Sequence, residues 1–290
     1  MNFQAESMDS QEKEHHTGGL AMKHATILIT LVCNLKCKLC SAYSPYYKNS
    51  RHPSVEDTEE ALRRFFRIVS HVDKFTICGG EPLIYPDLPE VLKFLTQYTG
   101  QIGLLEILTN GTIVPSDELL QGMKCYPANA FRVLVDNYGP DKSRKVLEIG
   151  AALTREGICH EIRNYTSENP HCGGWVDFGD LMTRKCVDQA AVEAKYAKCA
   201  YPQKLGFSFA IGPDGRMFAC GPSRRCNAIG VVDDQREYVD LFDNTLTVEE
   251  QRQKIQAVLN GKSLESCAYC NGLCEDSPRF VPAEQLDPLP

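Results

Sequence analysis

Strand-like and helix-like segments alternate from residue 24 to 165, and this alternation leaves the chain few folds to choose from. The aliphatic, β-branched run 24–32 (HATILITLV) predicts a strand. A helix is expected over 54–72, opened by Ser54 with Asp57 three residues on, with Leu62, Phe65, Phe66 and Val69 at helical spacing. Strands at 74–78, 103–111, 130–139 and 159–165 then alternate with helices at 88–98, 116–124 and 143–157. Short links between such units imply parallel strands joined by right-handed crossovers. About six units fall short of the eight of a closed barrel, so the expected fold is α/β, a partial (β/α)6 barrel. In such sheets, sites lie at the carboxyl ends of the strands. The loops after the strands, including Gly79–Glu81, Thr109–Thr112 and Asp136–Gly139, should therefore converge on one rim.

After residue 166 the pattern changes. Residues 167–180 are loop-like, 206–221 form a hairpin turning at Pro213–Gly215, and 247–261 form a helix capped by Thr247 and Glu250 and stopped at Gly261. The acidic stretch 240–244 is expected to be an exposed loop. Residues 1–23 have no apolar core or cleavage pattern and are expected to be a disordered leader, with Met22 as the native start. The apolar run 25–33 is too short to span a bilayer. A formal net charge of −7 lacks the basic footprint of a nucleic-acid binder. No nucleic-acid partner, no membrane and a cytoplasmic location are the expectation.

Fourteen cysteines without an export signal argue against disulfides and for metal or redox chemistry. Three of them, Cys33, Cys37 and Cys40, share the loop after the first strand. Two unit charges about 4 Å apart repel by roughly 4 kcal/mol at an effective dielectric of about 20. Bare thiolates packed this closely would stay protonated, and a bound cation or iron cluster reverses that. Structural zinc and ordinary electron-transfer clusters take four ligands. A three-ligand loop leaves one position open, which is the mark of a catalytic metal.

At these residues the chain resembles the radical S-adenosylmethionine (SAM) enzymes, whose Cys-x3-Cys-x2-Cys motif is matched by Cys33, Cys37 and Cys40. The resemblance covers residues 24–166 and implies a [4Fe–4S] cluster on those three cysteines, with SAM chelating the open iron. It implies that Gly79, Gly80 and Glu81 meet the methionyl amine of SAM, that Thr109 and Asn110 face its ribose, and that Asp136 and Asn137 face SAM or substrate, with a strand cap and turn over Asp136, Asn137 and Tyr138 as the equal alternative. Leu39 stands where many members carry an aromatic residue near adenine. In this family a one-electron donor such as flavodoxin or ferredoxin drives cleavage of SAM to a 5′-deoxyadenosyl radical.

Residues 167–198 are expected to be a connecting region and 199–290 an extension similar to the twitch and SPASM domains of the same family. That likeness implies one auxiliary [4Fe–4S] cluster on Cys199, Cys220, Cys267 and Cys270, with Cys226 and Cys274 spare. A zinc ribbon, or two clusters that also recruit Cys172 and Cys186, remain open alternatives. Cys78, Cys125 and Cys159 are expected to be buried small hydrophobes. Cys172, near the single tryptophan Trp175, is a candidate hydrogen-atom donor to a substrate radical. The expected activity is hydrogen abstraction from a small sugar-like or cyclitol-like molecule, ending in oxidation or epimerisation. Peptide modification is the alternative, ahead of a glycyl-radical activase and a non-catalytic iron–sulfur or zinc protein.

Overall fold

The computed structural model describes residues 19–48, 50–166 and 171–287, with the side chain of Cys172 excepted. The first half runs β1 (Leu20–Thr30), α1 (Val55–Ile68), β2 (Val69–Gly79), α2 (Leu88–Leu95), β3 (Ile102–Thr109), α3 (Asp117–Lys124), β4 (Phe131–Asn137), α4 (Val146–Arg155) and β5 (His160–Asn164). The second half runs β6 (Trp175–Val176), α5 (Gln189–Tyr196), α6 (Ala200–Gln203), β7 (Phe209–Ile211), β8 (Arg216–Phe218), α7 (Gly221–Ala228), β9 (Tyr238–Asp240), α8 (Val248–Leu259) and β10 (Arg279–Phe280).

Eight strands form one sheet in the order β5-β4-β3-β2-β1-β7-β8-β9. β1 to β5 and β7 are parallel, whereas β8 runs antiparallel to both of its neighbours, β7 and β9. One face of the parallel strands, with Ile27, Phe75, Ile77, Leu105 and Val133, packs against the apolar stripes of α1 to α4. Those stripes include Leu62 and Phe65 of α1 and Leu92 of α2, all fully buried. Full burial of each such side chain contributes about 1.5–3 kcal/mol. The opposite face, with Thr26, Thr76, Glu106 and Asp136 also buried, turns toward the concave side of the sheet. Ser54 and Ser116 cap α1 and α3, and Thr247 with Glu250 completes the capping box of α8.

The α/β class and the parallel sheet match the sequence expectation, and four details correct it. First, β1 begins at Leu20, inside the expected leader. Leu20 and Met22 are 6 % and 4 % exposed and alternate with exposed Ala21 and Lys23, so a two-residue period starts before the aliphatic run. Residues 1–18 lie outside the described residues. Second, α1 ends at Ile68 and β2 starts at once, because Val69 and Val72 pair with Leu20 and Met22. Third, the hairpin of β7 and β8 extends the main sheet, with Ala25 to Ile27 facing Phe209 to Ile211. Fourth, 240–244 is not simply an exposed loop: Asp240 ends β9 and Leu241 is fully buried. No helix among the described residues is long and apolar enough to cross a membrane. Met22→Ala should lower the unfolding free energy by about 2–5 kcal/mol in a denaturant titration, the cost of a buried cavity; a surface-like change under about 0.5 kcal/mol would contradict the placement of Met22 in the core.

Candidate active site

A cleft opens at the carboxyl ends of the parallel strands. It encloses about 980 Å³ of empty space, open mouth included. Cys33, Cys37 and Cys40 line it, together with Gly79, Gly80, Thr109, Asn110 and Asp136. These residues come from the ends of β1 to β4, as the alternation required. Asn137 does not join them. Its side chain donates to Asn164 Oδ1 at 2.8 Å and accepts from Gly139 N at 3.0 Å, so it shapes the turn after β4.

The cysteine loop is held by backbone contact between β1 and β2. Gly80 N donates to Thr30 O at 2.7 Å and Glu81 N to Val32 O at 2.9 Å. A Cβ on Gly79 would lie 2.2 Å from Thr30 O, and one on Gly80 2.1 Å from Val32 O. Both glycines are therefore required by the neighbouring chain, before any ligand is considered. Thr30 Oγ1 accepts from Val32 N at 3.0 Å and bonds His52 Nδ1 at 3.0 Å, which fixes the exit from β1.

Glu81 departs from the expected role. It is 0 % exposed, and its carboxylate accepts from Thr109 Oγ1 at 2.8 Å, Asn110 N at 2.8 Å and Leu83 N at 3.0 Å. Burial outweighs these bonds and pushes its pKa up to about 7. Glu81 thus ties the end of β2 to that of β3 from below, and the groups offered to the cleft are the glycine backbone. Asn110 reaches the cysteine loop instead, donating to Asn34 Oδ1 at 3.0 Å with Cys33 Sγ at 3.8 Å.

The thiols are hard to ionise as they stand. Burial, reinforced by neighbouring thiols, pushes Cys33 up to about 12 and Cys37 up to about 11, and burial raises Cys40 as well. Cys78, expected in the core, lines the same cleft, and burial together with Cys40 pushes its thiol up to about 12. Cys125 and Cys159 are exposed, at helix and strand ends rather than in the core.

Asp136 accepts from Tyr138 Oη at 2.9 Å and from Arg163 at 2.7 Å. Burial raises its pKa against the pull of Arg163, Tyr138 and His171. Tyr138 and Trp175 stand edge to face at 5.4 Å and form an aromatic wall of the cleft. Leu39 lies in a neighbouring groove with Tyr43 and Phe178. The cleft floor is polar, a feature the sequence reading missed. Thr26 and Ser208 meet at 3.2 Å there, and His24 bonds Thr76 at 3.0 Å beneath them, its pKa lowered to about 4 by burial and by Lys74.

Cys199, Cys220, Cys267 and Cys270 line a second, mostly apolar cavity of about 450 Å³ of empty space. Cys226 is buried elsewhere, with its Sγ 3.8 Å from Leu181 O, and Cys274 and Cys186 lie outside that cavity. Burial and the other thiols raise Cys220 well above the usual thiol range, and burial pushes Cys267 and Cys270 up to about 12. Gly272 N donates to Cys270 Sγ at 3.2 Å. Tyr201 lines both this cavity and the cleft. Burial raises its pKa, reinforced by the nearby thiols of Cys220, Cys270, Cys199 and Cys78. Among the described residues no three His, Cys, Asp or Glu side chains converge on one ion-sized point. Thiols spread around a cavity wall suit a polynuclear cluster, in which each iron takes one thiolate at its own corner. Cys172 carries no assignment, because its side chain lies outside the described residues.

Three substitutions test these assignments by iron content after anaerobic reconstitution. Gly80→Ala should lose iron from the three-cysteine loop. Cys270→Ser should lower iron by the complement of one cluster while Cys274→Ser leaves it unchanged; equal losses would reassign the ligands.

Residues 27–165 match the Radical SAM superfamily model. GTP 3′,8-cyclase 1 of Mycobacterium tuberculosis (strain CDC 1551 / Oshkosh) is 32 % identical over 119 residues, covering 39 % of this chain and 32 % of that protein. The chain spans between a third and somewhat under half of the length of the first curated relatives it matches. The crystal structure of BtrN in complex with AdoMet and 2-DOIA superposes with a TM-score of 0.58 at 13 % identity, covering 91 % of this chain and 100 % of that one. Native anSMEcpe with bound AdoMet and Cp18Cys peptide gives a TM-score of 0.52 at 14 % identity, covering 91 % and 93 %. Those likenesses establish a shared fold. With the three-cysteine loop, the Gly79–Gly80 contact and the matched span in agreement, residues 27–165 are a Radical SAM superfamily domain.

Proposed function

We propose that the chain is a radical SAM enzyme that oxidises a neutral, hydroxylated small molecule, of sugar or cyclitol type, at a carbinol carbon. Cys33, Cys37 and Cys40 would hold a [4Fe–4S] cluster, and the exposed backbone of Gly79 and Gly80 would meet SAM beside it. Bound there, cluster and SAM together supply a one-electron cleavage that yields a carbon radical able to take a hydrogen atom. Cys199, Cys220, Cys267 and Cys270 would hold a second cluster in the apolar cavity, with no position left open. A one-electron donor such as flavodoxin or ferredoxin would supply the reducing equivalent.

One observation carries this reading: Tyr201 lines both the three-thiol cleft and the four-thiol cavity, so the two are neighbours. Removing a hydrogen atom from a CHOH carbon leaves a carbon radical. Oxidation to the carbonyl then needs one electron and the hydroxyl proton to leave. A second cluster in the neighbouring cavity would accept the first, and Asp136 at the cleft wall would accept the second. Tyr138 and Arg163 orient that carboxylate. The aromatic wall of Tyr138 and Trp175 suits the C–H faces of a ring.

The relatives named GTP 3′,8-cyclase raise a nucleotide as substrate. No Lys or Arg is among the described residues lining the cleft, whereas Asp136 is. A triphosphate would find no paired cation there, so a neutral substrate is favoured. A peptide is the second reading, since the fold is shared with a structure that holds one.

The test is anaerobic reconstitution with SAM and dithionite. The expected products are 5′-deoxyadenosine and, with the right polyol, a ketone; absence of 5′-deoxyadenosine overturns the enzyme assignment, and GTP turnover overturns the substrate class. The low-pH limb of kcat should sit above the usual carboxylate range, because burial raises Asp136 despite Arg163, Tyr138 and His171 facing it, with Glu81 adding like charge nearby. Activity is then present above that pKa and lost as pH falls through it. Asp136→Asn should remove the limb and cost about 100-fold or more in kcat, within the range of general acid–base catalysis, while leaving SAM binding intact.

A further inference from the structure

One short segment near residue 280 is fastened to both sides of the cleft. At its start, β10 pairs antiparallel with β6, placing Phe280 opposite Trp175. A Cβ on Gly174 would lie 2.5 Å from Phe280 O, so the two chains are in close contact. The segment then turns at Ala283, which is 0 % exposed and holds a left-handed φ of 54°, a conformation non-glycine residues rarely adopt. Beyond the turn it lies along the cysteine loop. Lys38 N donates to Glu284 O at 2.7 Å, Leu286 N donates to Lys36 O at 2.8 Å, and Gln285 pairs with Cys37 as an antiparallel bridge.

Gln285 makes a second set of bonds with its side chain. Its Oε1 accepts from Lys36 N at 2.7 Å, and its Nε2 donates to Ala283 O at 2.8 Å and to Cys37 Sγ at 3.4 Å. Both ends of the amide are used, which fixes its orientation: the oxygen faces the backbone N–H, and the nitrogen faces the sulfur. The Lys38–Glu284 ion pair at 3.7 Å is exposed on both sides and adds little.

We propose that residues 283–286 are a strap that sets the cysteine loop and that Gln285 is a positioning residue for the Cys37 thiolate, tuning the potential of the cluster ligated there. This rests on the reading that Cys33, Cys37 and Cys40 hold that cluster. A hydrogen bond to a ligand sulfur stabilises the more negative, reduced cluster, so it raises the potential. The strap also covers Cys37 before any cluster is present, and Cys37 is the one buried thiol of the three.

Gln285→Glu keeps an oxygen for Lys36 N and loses the donor to sulfur, whereas Gln285→Leu loses both. The full-length protein is reconstituted anaerobically, and the EPR signal that changes on adding SAM is followed in a redox titration. Both variants should show a more negative midpoint, with about a tenfold lower reduced-to-oxidised ratio at fixed potential, equivalent to about 59 mV for one electron. In the metal-free full chain, alkylation of Cys37 by iodoacetamide, read by peptide mass spectrometry and normalised to the thiolate fraction from its pH dependence, should be faster in Gln285→Leu than in wild type. Unmoved midpoints in variants that keep their iron overturn the tuning role. If a variant fails to hold iron, the alkylation rate decides, and an unchanged rate overturns the strap. A wild-type protein without any SAM-responsive signal sinks the cluster reading instead, which separates the two failures.

Discussion

The site depends on how closely the backbone of Gly79 and Gly80 lies against that of Thr30 and Val32. Two hydrogen bonds and two missing Cβ atoms bring the end of β2 onto the exit of β1. The loop carrying Cys33, Cys37 and Cys40 starts from that contact. Glu81, buried directly after the glycines, then bonds Thr109 and Asn110 and ties β3 to the same point. Three strand ends are thus locked together by one glycine pair and one carboxylate, and Asn110 returns the favour by bonding the cysteine loop through Asn34.

Electrostatics give this frame its chemical bias. The thiols of Cys33, Cys37, Cys220 and Cys270 are crowded among others, and burial raises each of these four. Left alone they resist ionisation, whereas a multiply charged iron cluster would turn the same crowding into ligation. The two groups differ in surroundings. The three-thiol group opens onto a cleft with a polar floor and a carboxylate wall, whereas the four-thiol group faces apolar walls. That difference is why the first suits an exchangeable cofactor and the second an electron reservoir.

The two cavities are neighbours because the second half of the chain extends the first half's sheet. β7 pairs with β1, and the turn after β8 brings Cys220 and Gly221 against the cysteine loop, where a Cβ on Gly221 would lie 2.6 Å from Ser41 O. Tyr201 lines both cavities. Residues 279–286 close the arrangement from the other side, joining the Trp175 strand to the Cys37 loop.

Much of this was legible in the chain itself. Alternating periodicity gave the parallel sheet, and local spacing gave the cysteine loop, the Gly79–Glu81 turn and the hairpin at Pro213–Gly215. Both rest on neighbours a few residues apart, which sequence pattern reports directly. What it misjudged was direction. Glu81 points into the core, Asn137 turns away from the cleft and Cys78 faces into it, because a side chain's destination is set by strand register and by bonds to other strands. What it missed was partnership at long range. Gln285 lies 248 residues from Cys37, and Tyr201 lines two cavities that no local pattern mentions. The sequence alone determined where the thiols that an iron cluster would need are clustered and which strands must lie parallel, since those follow from spacing and period. Only the tertiary structure decided which four of the later cysteines share a cavity, and that this cavity neighbours the cleft, because contacts between distant segments depend on how the whole sheet packs.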